Sequence, residues 1–151
     1  MVLDFDKNAP LYLKKAAEGT DRLWMVGPSA VAGVIHGPLS NKSNSRQIVM
    51  VKGRAMVIKS KDARQYEKQF EAAVWRGARD LVNLPEDSRL YFKATVYQEN
   101  MRRDLDCELL PDLLQKFGII KNDRAIFEKH YYRKIDKLNP RVEFEIGVLK
   151  D

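Results

Sequence analysis

The sequence has one cysteine, two histidines and no apolar run long enough to cross a bilayer. A single cysteine, Cys107, excludes a disulfide scaffold and a cysteine-built zinc site. His36 and His130 lie far apart in the chain, which excludes a multi-histidine metal site. The first residues, MVLDFDKNAPLYLKK, carry acids early and lack an apolar core segment, so no secretory signal is expected. No internal repeat, low-complexity tract or interdomain linker interrupts the chain. Together these absences point to a protein of a reducing cytoplasm with no membrane span.

What is present suits one globular domain. The chain has 151 residues, of which 44% are hydrophobic and 32% charged, a balance that argues against intrinsic disorder. Twenty-seven Lys and Arg against twenty-one Asp and Glu leave a net charge of +6. The excess is uneven. Residues 46–103 hold thirteen basic and seven acidic residues, whereas residues 104–123 hold two basic and five acidic ones. A basic surface attracts polyanions such as nucleic acid, although excess Lys and Arg also serves simply as a solvated face. An acidic island inside a phosphate-binding surface calls for a cation between carboxylate and phosphate.

Hydrophobic periodicity gives the elements. Residues 31–36 (VAGVIH) read as a strand closed by Gly37-Pro38. Residues 47–51 and 55–59 flank Lys52-Gly53 and predict a hairpin. Ser60 is placed to cap a long helix whose apolar face runs through Ala63, Tyr66, Phe70, Ala73, Val74, Gly77 and Leu81. Leu90, Phe92, Ala94 and Val96 alternate as a half-buried strand. Leu109, Leu110, Leu113, Leu114 and Phe117 form a helical stripe that stops at Gly118, and Pro111 sets the helix start near residues 108–110. Residues 126–135 and 142–149 are two further strands joined by a turn at 137–140. Residues 8–17 suit a short helix. The expected class is α+β, a mixed sheet with two main helices packed on it.

The segment 101–123, MRRDLDCELLPDLLQKFGIIKND, carries the chemistry. If the chain stays extended past the strand, Asp104 and Asp106 share one side and Leu105 takes the other. Two hard oxygen ligands suit Mg²⁺ or Mn²⁺, and a short helix folding back would return Asp123 beside the pair. Asp-X-Asp before a helix is equally a pattern of caps and dipole partners, and spacing alone leaves both readings open. Arg102 and Arg103 either engage phosphate or neutralise the acids. Arg46, Lys52, Arg54, Lys59 and Lys61 make a basic hairpin and helix start that either tracks phosphates or is merely solvated. Tyr131 and Tyr132 suit base stacking or, for one of them, the core. Trp24 and Trp75 suit core or interface, and His130 a strand surface. Cys107 lies beside the acids without a His or second Cys to activate it.

The run RRDLDCELLPDLLQKFGIIKND resembles the signature of the RusA family of Holliday junction resolvases, in which an R-D-x-D-N stretch leads into a helix ending at glycine and a D-D pair follows. Arg103, Asp104, Leu105, Asp106, Gly118 and Asp123 occupy the matching positions. Residues 38–44 (PLSNKSN) are similar to the family's P-P-S-x-N loop, and the hairpin followed by SKDARQYEKQ to its Ser-led helix. The resemblance covers residues 31–151 and leaves 1–30 as an extension. Three positions differ: Cys107 stands where the family has asparagine, Asn122 replaces the first acid of the late pair, and no lysine lies between Asp104 and Gln115. Lys116, Lys121 and Lys129 are the candidates to replace that lysine.

The resemblance implies a RusA-like homodimeric endonuclease, bacterial or phage-encoded, that resolves four-way DNA junctions in recombination and repair by paired symmetric nicks with Mg²⁺, for which Mn²⁺ can substitute. Asp104, Asp106 and Asp123 are then the metal-holding catalytic carboxylates. Arg102 and Arg103 are the cations next to the scissile phosphate, with Arg46, Lys52, Arg54, Lys121 and Lys129 as further DNA contacts. Two other readings stay open: a non-catalytic branched-DNA-binding or regulatory protein on the same scaffold, and an endonuclease for forks or flaps.

Overall fold

The computed structural model describes residues 20–40, 46–78, 81 and 83–150. The proposed helix over 8–17 lies outside them. In chain order the elements are β1 (Arg22–Met25), β2 (Ala30–His36), β3 (Arg46–Val51), β4 (Arg54–Lys59), α1 (Lys61–Gly77), β5 (Leu90–Gln98), α2 (Leu109–Lys116), a 3-10 turn (Asp123–Ala125), β6 (Ile126–Ile135) and β7 (Arg141–Val148). This is the α+β class expected, with a mixed sheet and two helices. Among the described residues no helix is long and apolar enough to cross a membrane.

The main sheet has the order β1-β2-β7-β5-β6. All neighbours are antiparallel except β5 and β6, which run parallel from Leu90 opposite Ile126 to Gln98 opposite Ile135. Parallel neighbours need a crossover rather than a turn, and α2 supplies it. Among the described residues β3 and β4 pair only with each other, as a separate two-stranded ribbon. Its turn, Lys52-Gly53, has positive φ at both residues, +52° and +77°, as the tightest hairpin turn requires.

One face of the sheet carries the core. Leu23, Val31, Ile35, Phe92, Phe144 and Ile146 lie on it and are fully buried. Phe70 of α1 stacks on Phe144 and on Phe117, each at 6.0 Å between ring centres. α1 starts where Ser60 Oγ accepts from the Ala63 N–H, and it buries Ala63, Tyr66, Phe70, Ala73 and Gly77. Leu110 and Leu114 seat α2 in the same core. Pro111 falls in the first turn of α2, where its missing N–H costs nothing. Gly118 takes φ +78° just past the helix end, and the N–H groups of Ile119 and Ile120 close on the Leu114 carbonyl.

Residues 20–30, expected to lie in an extension, are part of the fold. β1 pairs with β2, and Leu23 and Trp24 are buried. A four-residue strand without clear alternation leaves too short a pattern to read from sequence.

α1 lies so close to β1 that a Cβ at Gly77 would collide with the Leu23 carbonyl oxygen and carbon. Gly→Ala inside an exposed helix normally stabilises by about 1 kcal/mol. Here the backbone itself is in the way, so Gly77→Ala is expected to destabilise by about 1–3 kcal/mol, measured as a lower midpoint in urea at unchanged slope.

Candidate functional site

β5 ends at Gln98, and the segment 99–108 turns over the end of the sheet before α2 begins. Gln98 Nε2 holds its path by donating to the Asp104 carbonyl at 3.4 Å. Leu105 points inward and packs against the core. Asp104 and Asp106, on either side of it, open onto two adjoining hollows. Asp104 lines one of about 580 Å³ with Arg102, Arg103 and Asp62, while Asp106 lines one of about 90 Å³ under the end of β5. Arg103 and Pro38 line both. Arg103 Nη1 also donates to the Leu39 carbonyl at 3.1 Å, which ties the acidic loop to the loop after β2.

Both readings left open by the Asp-X-Asp spacing are partly met. Asp106 Oδ1 accepts from the Glu108 N–H at 3.0 Å and so serves the approach to α2, whose own N-cap, Glu108, makes no side-chain cap. Asp104 is exposed and lines the larger hollow. Asp62, in the first turn of α1, faces the same hollow. Its sequence signal is that of a helix-dipole partner, which hid its place in the hollow of Asp104.

Asp123 does not join the pair within one chain. Because β5 and β6 are parallel, the chain leaves β5 at one end of the sheet and must enter β6 at the other. α2 carries it back, and Asp123 lands near the level of Leu90. There the Asp123 N–H donates to Gln115 Oε1 at 3.0 Å, and the side chain lines a third hollow with Asp112, Arg46, Lys59 and Lys116. Among the described residues, no three His, Cys, Asp or Glu side chains stand close enough to share a metal ion.

The cations are similarly divided. Lys129, on the inner side of β6, bonds Glu108 Oε2 at 2.8 Å, and Tyr131 OH donates to Glu108 Oε1 at 2.7 Å. Of the three candidate lysines, Lys129 is therefore the one beside the start of α2. Lys121 pairs with Glu86 at 2.8 Å, and Lys116 with Glu67. Arg46 and Lys59 sit at the ribbon base on one side of the first turns of α1, while Arg102 and Arg103 sit on the other. Lys52 and Arg54 are at the exposed ribbon tip. Tyr131 meets Phe92 edge-on at 5.8 Å, while Tyr132 faces solvent. Trp24 is buried and Trp75 exposed, and His130 lies on the β6 surface near Glu128.

One polar cluster had no signal in the sequence. Asp21 Oδ1 accepts from the His36 backbone N–H and meets His36 Nδ1, each at 2.7 Å, and Asp21 Oδ2 accepts from Gln69 Nε2 at 2.6 Å. It clamps β1, β2 and α1 together behind the larger hollow, which Gln69 also lines. No family model matches the chain, and no curated protein matches it.

Burial pushes the Asp21 carboxyl up, but the bonds from His36 and Gln69 outweigh it and hold the carboxyl below its ordinary 3.8. A carboxyl lowered by folding adds stability above the unfolded pKa and loses it as pH falls through the folded one. Asp21→Asn is thus expected to cost about 1–2 kcal/mol at pH 6, because its amide opposes the Gln69 donor. That deficit should shrink below pH 4 in thermal melts. Cys107 is fully buried, and burial, helped by Asp106 and Glu108, pushes its thiol up to about 12. Its thiolate fraction at pH 7 is on the order of 10⁻⁵, so Ellman's reagent should label it only in denaturant.

Proposed function

We propose that this chain is a Mg²⁺-dependent, structure-selective endonuclease that resolves four-way DNA junctions, as its RusA-like motif implies. The observation that carries the reading is the pair Asp104 and Asp106. They flank an anchored Leu105, open onto adjoining hollows, and have Arg103 lining both. Two carboxylates on a solvent-facing loop fit Mg²⁺, which keeps several waters and takes further oxygens from substrate phosphate. When bound there, the ion would lower the pKa of a water and neutralise charge on the phosphate.

The remaining steps belong to the chain's own groups. Asp104 and Asp106 supply the metal-holding oxygens. Arg102, exposed beside Asp104, is placed to grip the DNA backbone next to the scissile bond. Arg103, held by the Leu39 carbonyl, offers a fixed charge rather than a mobile one. Lys129 stands closest to the position of the family's lysine, restrained by Glu108. Asp123 reaches this centre only from a second copy, which a two-fold symmetric substrate would also require.

The separation of Asp123 from the pair also favours a second reading, a branched-DNA-binding protein that does not cut. Cutting separates the two readings. With labelled four-way junction, fork and linear duplex, the first expects paired nicks in the junction with Mg²⁺ and none with EDTA. The second expects a retained gel shift with no product in any metal, and preference for forks or flaps would redirect the substrate. Asp104→Asn and Asp123→Asn should each lower the cleavage rate by about 100-fold or more with binding kept. Mixing these two inactive variants should restore cutting, because a mixed dimer regains one intact site if Asp123 comes from the partner subunit. Normal cutting by both single variants would end the assignment.

A further inference from the structure

Among the described residues, the β3–β4 ribbon gathers five of the exposed large apolar side chains. Its strands, RQIVMV and RAMVIK, are apolar at eight of twelve positions, on both faces. The register sets Ile48 opposite Val57 and Met50 opposite Ala55 on one face, and Val49 opposite Met56 on the other. Ile48 is 73% exposed, Met50 68% and Val57 61%. A hairpin facing water on one side would alternate apolar and polar residues, and a lone two-stranded ribbon is marginal in water.

The charges are confined to its ends, Arg46 and Lys59 at the base and Lys52 and Arg54 at the tip. A surface built for a DNA backbone spreads cations over the contact face. A protein interface keeps them out of its centre and places them at the rim, which is the pattern found here. Ile48, Met50 and Val57 leave apolar surface on the order of 400 Å² on one face of the ribbon, within the range of the largest patch on a monomer. It is about half of the roughly 800 Å² that each partner buries in a standard interface.

We propose that this ribbon is where two copies of the chain associate, with the Ile48–Met50–Val57 face packed on the same face of a second copy. A two-fold contact sets like apolar groups together and needs no foreign partner. Crossing antiparallel, each cationic tip faces the other copy's ribbon base. Lys59 is already paired with Glu67 there, at 2.9 Å, and Asp112 and Asp123 line the adjacent hollow. The two tips stay about 20 Å apart, beyond the screening length at physiological salt. This rests on the dimerisation of the proposed function but not on which subunit supplies Asp123, and it is tested without DNA or metal, so either can fail alone.

Sedimentation equilibrium of the full chain is expected to give a dimer at micromolar concentration. The Ile48→Thr/Val57→Thr double variant keeps β-branched residues, so the ribbon itself should persist. It should raise the dimer dissociation constant by about 100-fold, with near-UV dichroism unchanged. As a check that does not depend on that variant folding, Met50→Cys should form an interchain disulfide under mild oxidation, whereas buried Cys107 gives none in the parent chain. A monomeric parent at 100-fold higher concentration overturns the proposal, as does a double variant that dimerises normally. A monomeric parent whose junction binding is lost in the double variant would overturn it in favour of a DNA-contacting arm.

Discussion

The parallel pairing of β5 with β6 constrains everything around the acidic segment. Two parallel neighbours cannot be joined by a tight turn, so the chain between them must travel the length of the sheet. That journey consists of the loop 99–108, the helix α2 and the turn at 117–125. Asp104 and Asp106 come before α2 and Asp123 after it, and Asp123 lines a different hollow from the pair.

Around this crossover, buried polar groups hold the sheet in register. Glu143 is fully buried in β7 and meets Arg141 Nε at 2.9 Å. The same guanidinium bonds Asp136 at 2.9 Å and lies 3.7 Å above the Tyr97 ring, so it links β7, the turn before it and β5. A buried pair of this kind adds little net stability, but removing one partner strands a charge. The Asp21–His36–Gln69 cluster does the same on the other flank, joining β1 and β2 to α1. Both clusters lie near the end of the sheet where the acidic loop turns. Arg141 pairs with Tyr97 at the end of β5, and Gln69 lines the hollow of Asp104. A rigid frame beneath a solvent-facing loop is what a site for an extended, charged substrate requires.

The acidic loop and the ribbon answer different physical problems. The loop is short of apolar anchors, keeping Leu105 and the buried Cys107, and offers oxygen and guanidinium groups to solvent. The ribbon exposes aliphatic side chains with charge only at its ends. One surface suits a hydrated polyanion with a cation between, and the other suits another apolar surface. The first turns of α1 separate them, with Asp62 and Gln65 on one side and Ala63 and Glu67 on the other.

Local pattern determined most elements, because each rested on chemistry within a few residues. Lys52-Gly53 specified the ribbon turn, Ser60 the start of α1, Pro111 and Gly118 the limits of α2, and alternation the strands β5 and β7. The period of two set Asp104 and Asp106 on one side and Leu105 on the other; Leu105 does pack inward, while the two acids line separate, adjoining hollows. Strand direction is not local. Whether β6 runs parallel or antiparallel to β5 depends on which neighbours complete the sheet, and only the tertiary structure decided it. The position of Asp123 followed from that choice, whereas the Asp21–His36 contact across fifteen residues and the sharing of one hollow by Asp62 and Asp104 followed from the packing of β1, β2 and α1. Sequence spacing carries torsions and periodicity, whereas convergence is set by the packing of elements far apart in the chain.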